Sequence, residues 1–300
     1  MKIFKTTIIL LVIFAVLFGY YFYESKTNKP VKEDNKIFTF KNNDVNSLKI
    51  EKEGKTLIDF KKEGDTWFIK EPIDYKADSI YVDELLDSLT SLTFDRTLEG
   101  DLSTYGLDKP SYAIKVSLKN GKSYSLFIGN KSPVKENYQE GYYAKTDGDK
   151  IYRVNASSLE NFFLTDDYAY KYMEKFVVSI PKNEITKLVF YQDGKEYQIQ
   201  KDEKDNWQID GKAIKADDVD NLLDGIVLLQ ISGLDEGKNI SQGETPFAFD
   251  VYGKSKVEKI SFAKRDAENK YVLINGHCIG QYVTLKDIKN LQDTFDKLIK

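Results

Sequence analysis

The chain says nearly the same thing twice. Phe38 to Trp67 align with Val178 to Trp207 at one constant offset of 140, so that Val45-Asn-Ser-Leu48 is answered by Ile185-Thr-Lys-Leu188 and Glu53-Gly54 by Asp193-Gly194. Each half then reaches a lone tryptophan followed by Lys-Ala-Asp, at Lys76-Ala77-Asp78 and at Lys215-Ala216-Asp217. A sequence that must suit one backbone in two places has few folds open to it. A repeat of roughly 130 residues exceeds any solenoid period and predicts two tandem copies of one domain. They are placed at residues 37–175 and 176–300.

Within each copy short alternating runs come first: Leu48 and Ile50, Leu57 to Phe60, Trp67 to Ile69, and in the second copy Leu188 and Phe190, Tyr197 and Ile199, Trp207 and Ile209. Acid-glycine pairs separate them, and such pairs favour two-residue hairpin turns because both central residues there need positive φ. A helix follows, opened by Asp78, with Val82, Leu85, Leu86, Leu89 and Leu92 at helical spacing; its twin carries Val219, Leu222, Leu223, Ile226 and Leu229. A second meander runs from Ile114 to Val154, turning at Asn120-Gly121 and Asp147-Gly148, and from Phe249 to Val283, turning at Asn275-Gly276. Each copy is expected to close on a helix, at Ser157 to about Phe163 and at Thr284 to Ile299, where Thr284-Leu-Lys-Asp287 reads as a capping box. The order meander, helix, meander, helix, twice over, specifies an α+β fold with antiparallel sheets. Trp67 and Trp207 are expected to be twin core anchors.

Ahead of the copies, Ile8 to Tyr23 is apolar, and with Thr6 and Thr7 the uncharged run reaches 18 residues. As a helix it would measure about 27 Å, enough to cross a bilayer. The run ends in Gly19-Tyr-Tyr-Phe-Tyr23, which is like an interfacial aromatic belt and unlike the small-residue site where a secretory peptide is cut. No cysteine follows for a lipid anchor. Lys2 and Lys5 precede the run, while Glu24 partly offsets Lys26 and Lys29 after it. The expectation is a transmembrane signal anchor at 1–23 with a cytoplasmic N-terminus, a polar juxtamembrane linker at 24–36, and the bulk of the chain outside the cytoplasm. A cleaved signal is the alternative.

Composition excludes several function classes. The chain has 44 basic and 48 acidic residues, a net charge of −4. Setting aside Lys2 and Lys5, the body is more acidic still, which argues against nucleic acid as a partner because phosphate binding needs a basic stripe. One cysteine, Cys278, excludes an internal disulfide, and one histidine, His277, excludes a multi-histidine metal site. The His277-Cys278 pair is a poor nucleophile and base, since neighbours on a strand point to opposite faces. The acid pairs Asp166-Asp167, Asp217-Asp218 and Asp235-Glu236 lack calcium-loop spacing and suit helix starts. No catalytic residue, metal or cofactor is expected. The segment Tyr105-Gly106-Leu107-Asp108-Lys109-Pro110 is the candidate binding loop, against a structural reading in which Gly106 permits a turn, Leu107 plugs the core, Asp108 makes a side-chain turn and Pro110 starts a strand.

That segment, followed by Ile114-Lys-Val116, Asn120-Gly-Lys122, Leu126-Phe-Ile-Gly129, Tyr142-Tyr-Ala-Lys145 and Ile151-Tyr-Arg-Val154, resembles the bacterial DUF4340 domain family. The family's string is a YGL-D-x-P turn, a DGK-type hairpin, an L-x-I-G strand end, a Y-A-K strand and a V-Y-x-V strand. The second copy departs from it: no YGL precedes Pro246, and Phe262-Ala-Lys264 is aligned with Phe127-Ile-Gly129. The resemblance implies a membrane-anchored protein similar to components found beside gliding-motility-type ABC transporters, with no assigned reaction. The expected function is therefore a non-catalytic, membrane-anchored extracytoplasmic scaffold or accessory protein, with ABC transporter permease and ATPase subunits as expected partners. An extracellular glycan- or peptide-binding module and a cell-envelope hydrolase are the alternatives.

Overall fold

Pairs of residues at positive φ turn the chain back on itself where the sequence leads one to expect it. In the computed structural model, which describes residues 13, 14, 16–20, 35–241 and 246–299, Glu53 and Gly54 have φ of 49° and 76°, Asp193 and Gly194 51° and 76°, and Asn275 and Gly276 54° and 80°. Two left-handed central residues give a hairpin turn whose twist matches that of the strands it joins.

These turns build two antiparallel sheets of nine strands with the same order of elements. The first contains β1 (Val45–Lys52), β2 (Lys55–Glu63), β3 (Thr66–Glu71), β4 (Tyr75–Lys76), β5 (Phe94–Leu98), β6 (Tyr112–Leu118), β7 (Ser123–Lys131), β8 (Gly141–Lys145) and β9 (Ile151–Asn155), in the order β4-β3-β2-β1-β6-β7-β8-β9-β5. The second contains β10 (Lys187–Gln192), β11 (Lys195–Lys201), β12 (Trp207–Ile209), β13 (Lys212–Ala213), β14 (Gly233–Leu234), β15 (Phe247–Tyr252), β16 (Val257–Lys264), β17 (Asn269–Ile274) and β18 (Gln281–Thr284), in the order β13-β12-β11-β10-β15-β16-β17-β18-β14. The two meanders of each copy thus fuse into one sheet where β1 pairs β6, with Ile50 opposite Ile114, and β10 pairs β15, with Phe190 opposite Phe249. Four of these strands are not legible in the order of residues. β4 and β13 have two residues each and are strands only by pairing with β3 and β12, while β5 and β14 do not alternate and are strands only by pairing with β9 and β18.

Among the described residues two compact units form, one from residues 1–57 with 83–163, the other from 58–82 with 164–300. The second unit shows how alternation and helical spacing meet. Leu188, Phe190, Ile199, Phe249, Val251, Ile260 and Phe262 are buried. They share the core with Val219, Leu222, Leu223 and Ile226 of α3 (Ala216–Val227) and Ile288, Leu291 and Phe295 of α4 (Leu285–Ile299). The Phe295 ring stacks on Phe190 at 4.2 Å between centroids. Thr284 caps α4 as expected, its Oγ1 accepting from the Asp287 amide at 3.1 Å and donating to the Asp287 carboxylate at 2.6 Å. The remaining helices are α1 (Ser79–Thr90) and the five-residue α2 (Tyr168–Tyr172). Asp78 caps α1 by accepting from the Ile80 amide at 2.9 Å.

Three expectations are corrected. The segment after β9, expected as a helix, is a 3-10 run and not an α-helix: Ala156–Phe162, capped by Asn155 and ended at Phe163, whose ψ of 76° is not helical. Trp67 is a core anchor at 1% exposure, whereas Trp207 is only half-buried, because β12 is a three-residue strand near the sheet edge. The register places Ala263, not Lys264, opposite the role of Gly129, since Ile114 pairs Leu126 while Phe249 pairs Ile260.

Of the expected membrane segment, residues 13, 14 and 16–20 are helical and the rest lies outside the described residues, as do 24–34 of the linker. Among the described residues no helix is long and apolar enough to cross a membrane.

Candidate functional site

The candidate loop at Tyr105 is a strap over the first sheet. Asp101 accepts from the Ser103 amide at 3.0 Å and starts a 3-10 turn, Leu102–Tyr105, which Gly106 ends in the left-handed conformation at φ 68°. The Tyr105 ring meets Tyr143 of β8 edge-on at 4.8 Å, its hydroxyl donates to the Glu99 carbonyl at 2.8 Å, and Leu107 is buried. Asp108 is exposed and Pro110 half-buried. Beneath the strap, β7 bulges between Ile128 and Lys131, and a Cβ on Gly129 would lie 2.3 Å from the Tyr105 carbonyl oxygen. The YGL and L-x-I-G elements are therefore two sides of one contact. In the second copy the strap is different: Ile240 bridges Cys278 and packs on Ala263 and Leu273, while Arg265 holds Asp235 at 2.8 and 3.0 Å. A straight β16 tolerates the Ala263 methyl because no YGL turn crosses it.

A more informative site lies where each copy begins. Alternation buries Phe38 and Phe40 in the first copy and Val178 and Ile180 in the second. The residue before each pair bonds to the end of the helix: the Ile37 amide to the Leu92 carbonyl and the Val177 amide to the Leu229 carbonyl, both at 3.0 Å. Lys36 bridges Thr93 as Phe176 bridges Gln230. Asn42 donates to Asp87 at 2.6 Å and Lys182, its counterpart, to Asp224 at 2.5 Å. The same backbone and the same anchor recur, so a groove between this segment and the helix end recurs too.

Its lining does not recur. Lys36, Lys41, Thr90 and Ser91 line the groove of the first copy. Phe176, Pro181, Val227 and Leu228 stand at those positions in the second, around a cavity of about 260 Å³. Phe176 is 39% and Leu228 63% exposed. The fold does not demand apolar residues there, because the first copy makes the same bridge with Lys36 and carries Ser91 at the position of Leu228. Contiguous exposed apolar side chains that the fold does not need mark an interaction surface.

Phe176 also borders two neighbouring depressions. One, of about 530 Å³, holds Asp78, Tyr81, Asp166, Asp167, Lys171 and Lys175. The ammonium of Lys175 is spent on the carbonyls of Tyr170, Lys171 and Met173 at the end of α2. The other, of about 260 Å³, is lined by Tyr75, Lys76, Glu174, Ser179, Glu258 and His277 among others. Glu258 accepts from the Ser179 amide at 2.7 Å, from the Ser179 hydroxyl at 2.5 Å and from Lys256 Nζ at 2.9 Å. Burial pushes its carboxyl up, but these donors outweigh burial and hold it below the usual carboxylate range. A serine beside a lysine invites a nucleophilic reading. Here the Ser179 hydroxyl donates to Glu258 while Lys256 Nζ donates to the hydroxyl oxygen, so the lysine stands as a donor to Ser179 and not as its base. Glu174 pairs Lys76 at 3.3 Å. His277 is exposed at its turn while Cys278 is buried on the opposite side, its thiol pushed up by burial.

Sequence reasoning missed Phe176 and Leu228. The signal was available: carried two residues before Phe38, the offset of 140 sets Lys36 against Phe176. Among the described residues no group of three or more His, Cys, Asp or Glu side chains is placed to hold a metal ion. No curated protein and no solved structure matches the chain. The family model described as Domain of unknown function (DUF4340) matches residues 67–243, more than half of the chain, and the chain belongs to that family.

Proposed function

We propose that this is a non-catalytic docking protein, anchored in the membrane by its N-terminal segment with its two sheets outside the cytoplasm, which serves as an accessory component of an ABC-transporter-linked envelope assembly. The observation that carries the docking part is the replacement of Lys36, Lys41, Thr90 and Ser91 of the first groove by Phe176, Pro181, Val227 and Leu228 in the second. Fold stability gives no reason for that exchange, whereas partner binding does. The anchor reading is supported by the 18-residue uncharged run from Thr6 to Tyr23 and the lysines before it. Tethering confines the folded part near membrane partners, so weak contacts suffice.

The test is affinity purification of the tagged full-length chain from gently solubilised membranes, with mass spectrometry of what accompanies it and a form lacking residues 1–23 as control. Transporter permease and ATPase subunits are expected with the full chain and are depleted in the control. Recovery of the bait alone from both forms would sink the accessory reading.

A further inference from the structure

Resting on the docking reading above, we infer that the groove at Phe176 and Leu228 receives a peptide segment of another protein that carries apolar anchors next to a basic residue. The apolar half follows from the lining. Phe176, Pro181, Val227 and Leu228 offer a surface without hydrogen-bonding side chains, and the charges bordering it, Lys76 and Glu174, neutralise each other. An occupant gains by burying aliphatic or aromatic side chains there and gains nothing from a charge placed in the groove itself.

The basic half follows from the depression that shares Phe176. Asp166 and Asp167 are exposed there, Asp78 is half-buried, and Lys175 is occupied with α2 carbonyls. Lys171 lines the same depression with its ammonium 5.0 Å over the Tyr172 ring. A segment that seats apolar side chains beside Phe176 and extends toward Asp166 and Asp167 is favoured by a lysine or arginine and opposed by an acid. The mildly acidic charge of the whole chain works in the same direction at long range.

The repeat supplies variants that keep the fold. Phe176→Lys with Leu228→Ser installs the residues that the first copy already carries at these positions, so the double variant retains the melting temperature of the parent. The probe is a random-sequence peptide display library selected on the full-length chain in nanodiscs. Enriched sequences are expected to combine aromatic or aliphatic residues with lysine or arginine. Their binding is expected to weaken about tenfold or more in the double variant, and about threefold in Asp166→Asn with Asp167→Asn. Enrichment of acidic or wholly polar sequences, equal binding to the double variant, or no enrichment would each overturn the inference. The accessory reading is tested separately by purifying partners with the double variant. Partners retained while the library fails would place docking elsewhere on the chain; partners lost from the parent as well would remove both.

Discussion

Gly129→Ala should harm the fold more than its modest chemistry suggests. A Cβ at this position would sit 2.3 Å from the Tyr105 carbonyl oxygen and 3.0 Å from the Gly106 carbonyl carbon and oxygen. Ordinary carbon–oxygen contacts fall near 3.3–3.6 Å, so strap and strand must separate by roughly 1 Å, and both sides are backbone with no rotamer to yield. Overpacking of this kind costs about 1–3 kcal/mol. At about 2–4 °C per kcal/mol for a unit of this size, the melting temperature falls by roughly 2–12 °C. The control is Gly121→Ala. There a Cβ meets nothing within 4 Å, and only the φ of 83° is unfavourable, a penalty of about 1–2 kcal/mol partly offset by a stiffer unfolded chain. A further arm uses Gly106→Ala, whose Cβ would meet the Asn130 side chain at 2.5 Å. Because that neighbour is a side chain, Asn130→Ala should relieve part of the cost, a coupling of about 0.5–3 kcal/mol in a double-mutant cycle. Calorimetry of the four single variants and of Gly106→Ala with Asn130→Ala against the parent decides the matter. If Gly129→Ala melts at or above Gly121→Ala, the strap does not press on β7 and the account of the two family elements is wrong.

Three more outcomes follow from the same structure. Arg153, 2% exposed, pairs with Asp95 and donates to the Val134 and Gln139 carbonyls at 3.1 and 2.8 Å; Arg153→Met should cost about 3 kcal/mol, the low end for a broken buried pair because Asp95 stays partly hydrated. Amide exchange at residues 134–140 should then quicken, and unchanged exchange would contradict the pinning role. Glu258 is held below its unfolded value near 4.5, so its stabilisation is present above that pH and fades as pH falls through the lower folded value. Glu258→Gln should therefore lose about 1–3 kcal/mol at neutral pH, and the melting gap to the parent should narrow on acidification below about 4.5; a gap constant down to pH 3 would count against it. Cys278 should resist thiol reagents in the native chain and react only as fast as the chain opens, since it is 1% exposed and burial raises its thiol. Prompt labelling without denaturant would contradict the burial of the thiol.

Local chemistry accounts for what was legible in the amino-acid order. Acid-glycine and Asn-Gly turns, the Asp78 and Thr284 caps, the helical spacing of Val82 to Leu89 and the alternation of Leu48 with Ile50 all depend on neighbours within a few residues, and all appear where the sequence puts them, although the helix stops at Thr90 and leaves Leu92 buried just beyond it. So does the tandem repeat, down to the matching contacts of Asn42 with Asp87 and Lys182 with Asp224. The fusion of each pair of meanders through β1 with β6 and β10 with β15 was not legible, because backbone pairing between strands distant in sequence leaves no mark in either strand alone. The same holds for β5 and β14, whose residues do not alternate and become strands only against β9 and β18.

The sequence by itself determined that antiparallel strands and helices recur in two like copies, where they turn, and which family the chain belongs to. Tertiary structure alone decided what the motifs are for. Tyr105, Gly106 and Leu107 prove to be a strap seated on Gly129, a contact between residues far apart in the chain. Phe176 and Leu228 come together as an exposed groove only when a strand start meets a helix end. Apolar residues in a sequence carry no label for inside or outside. Burial is a property of what surrounds a side chain, and only the folded chain assigns it.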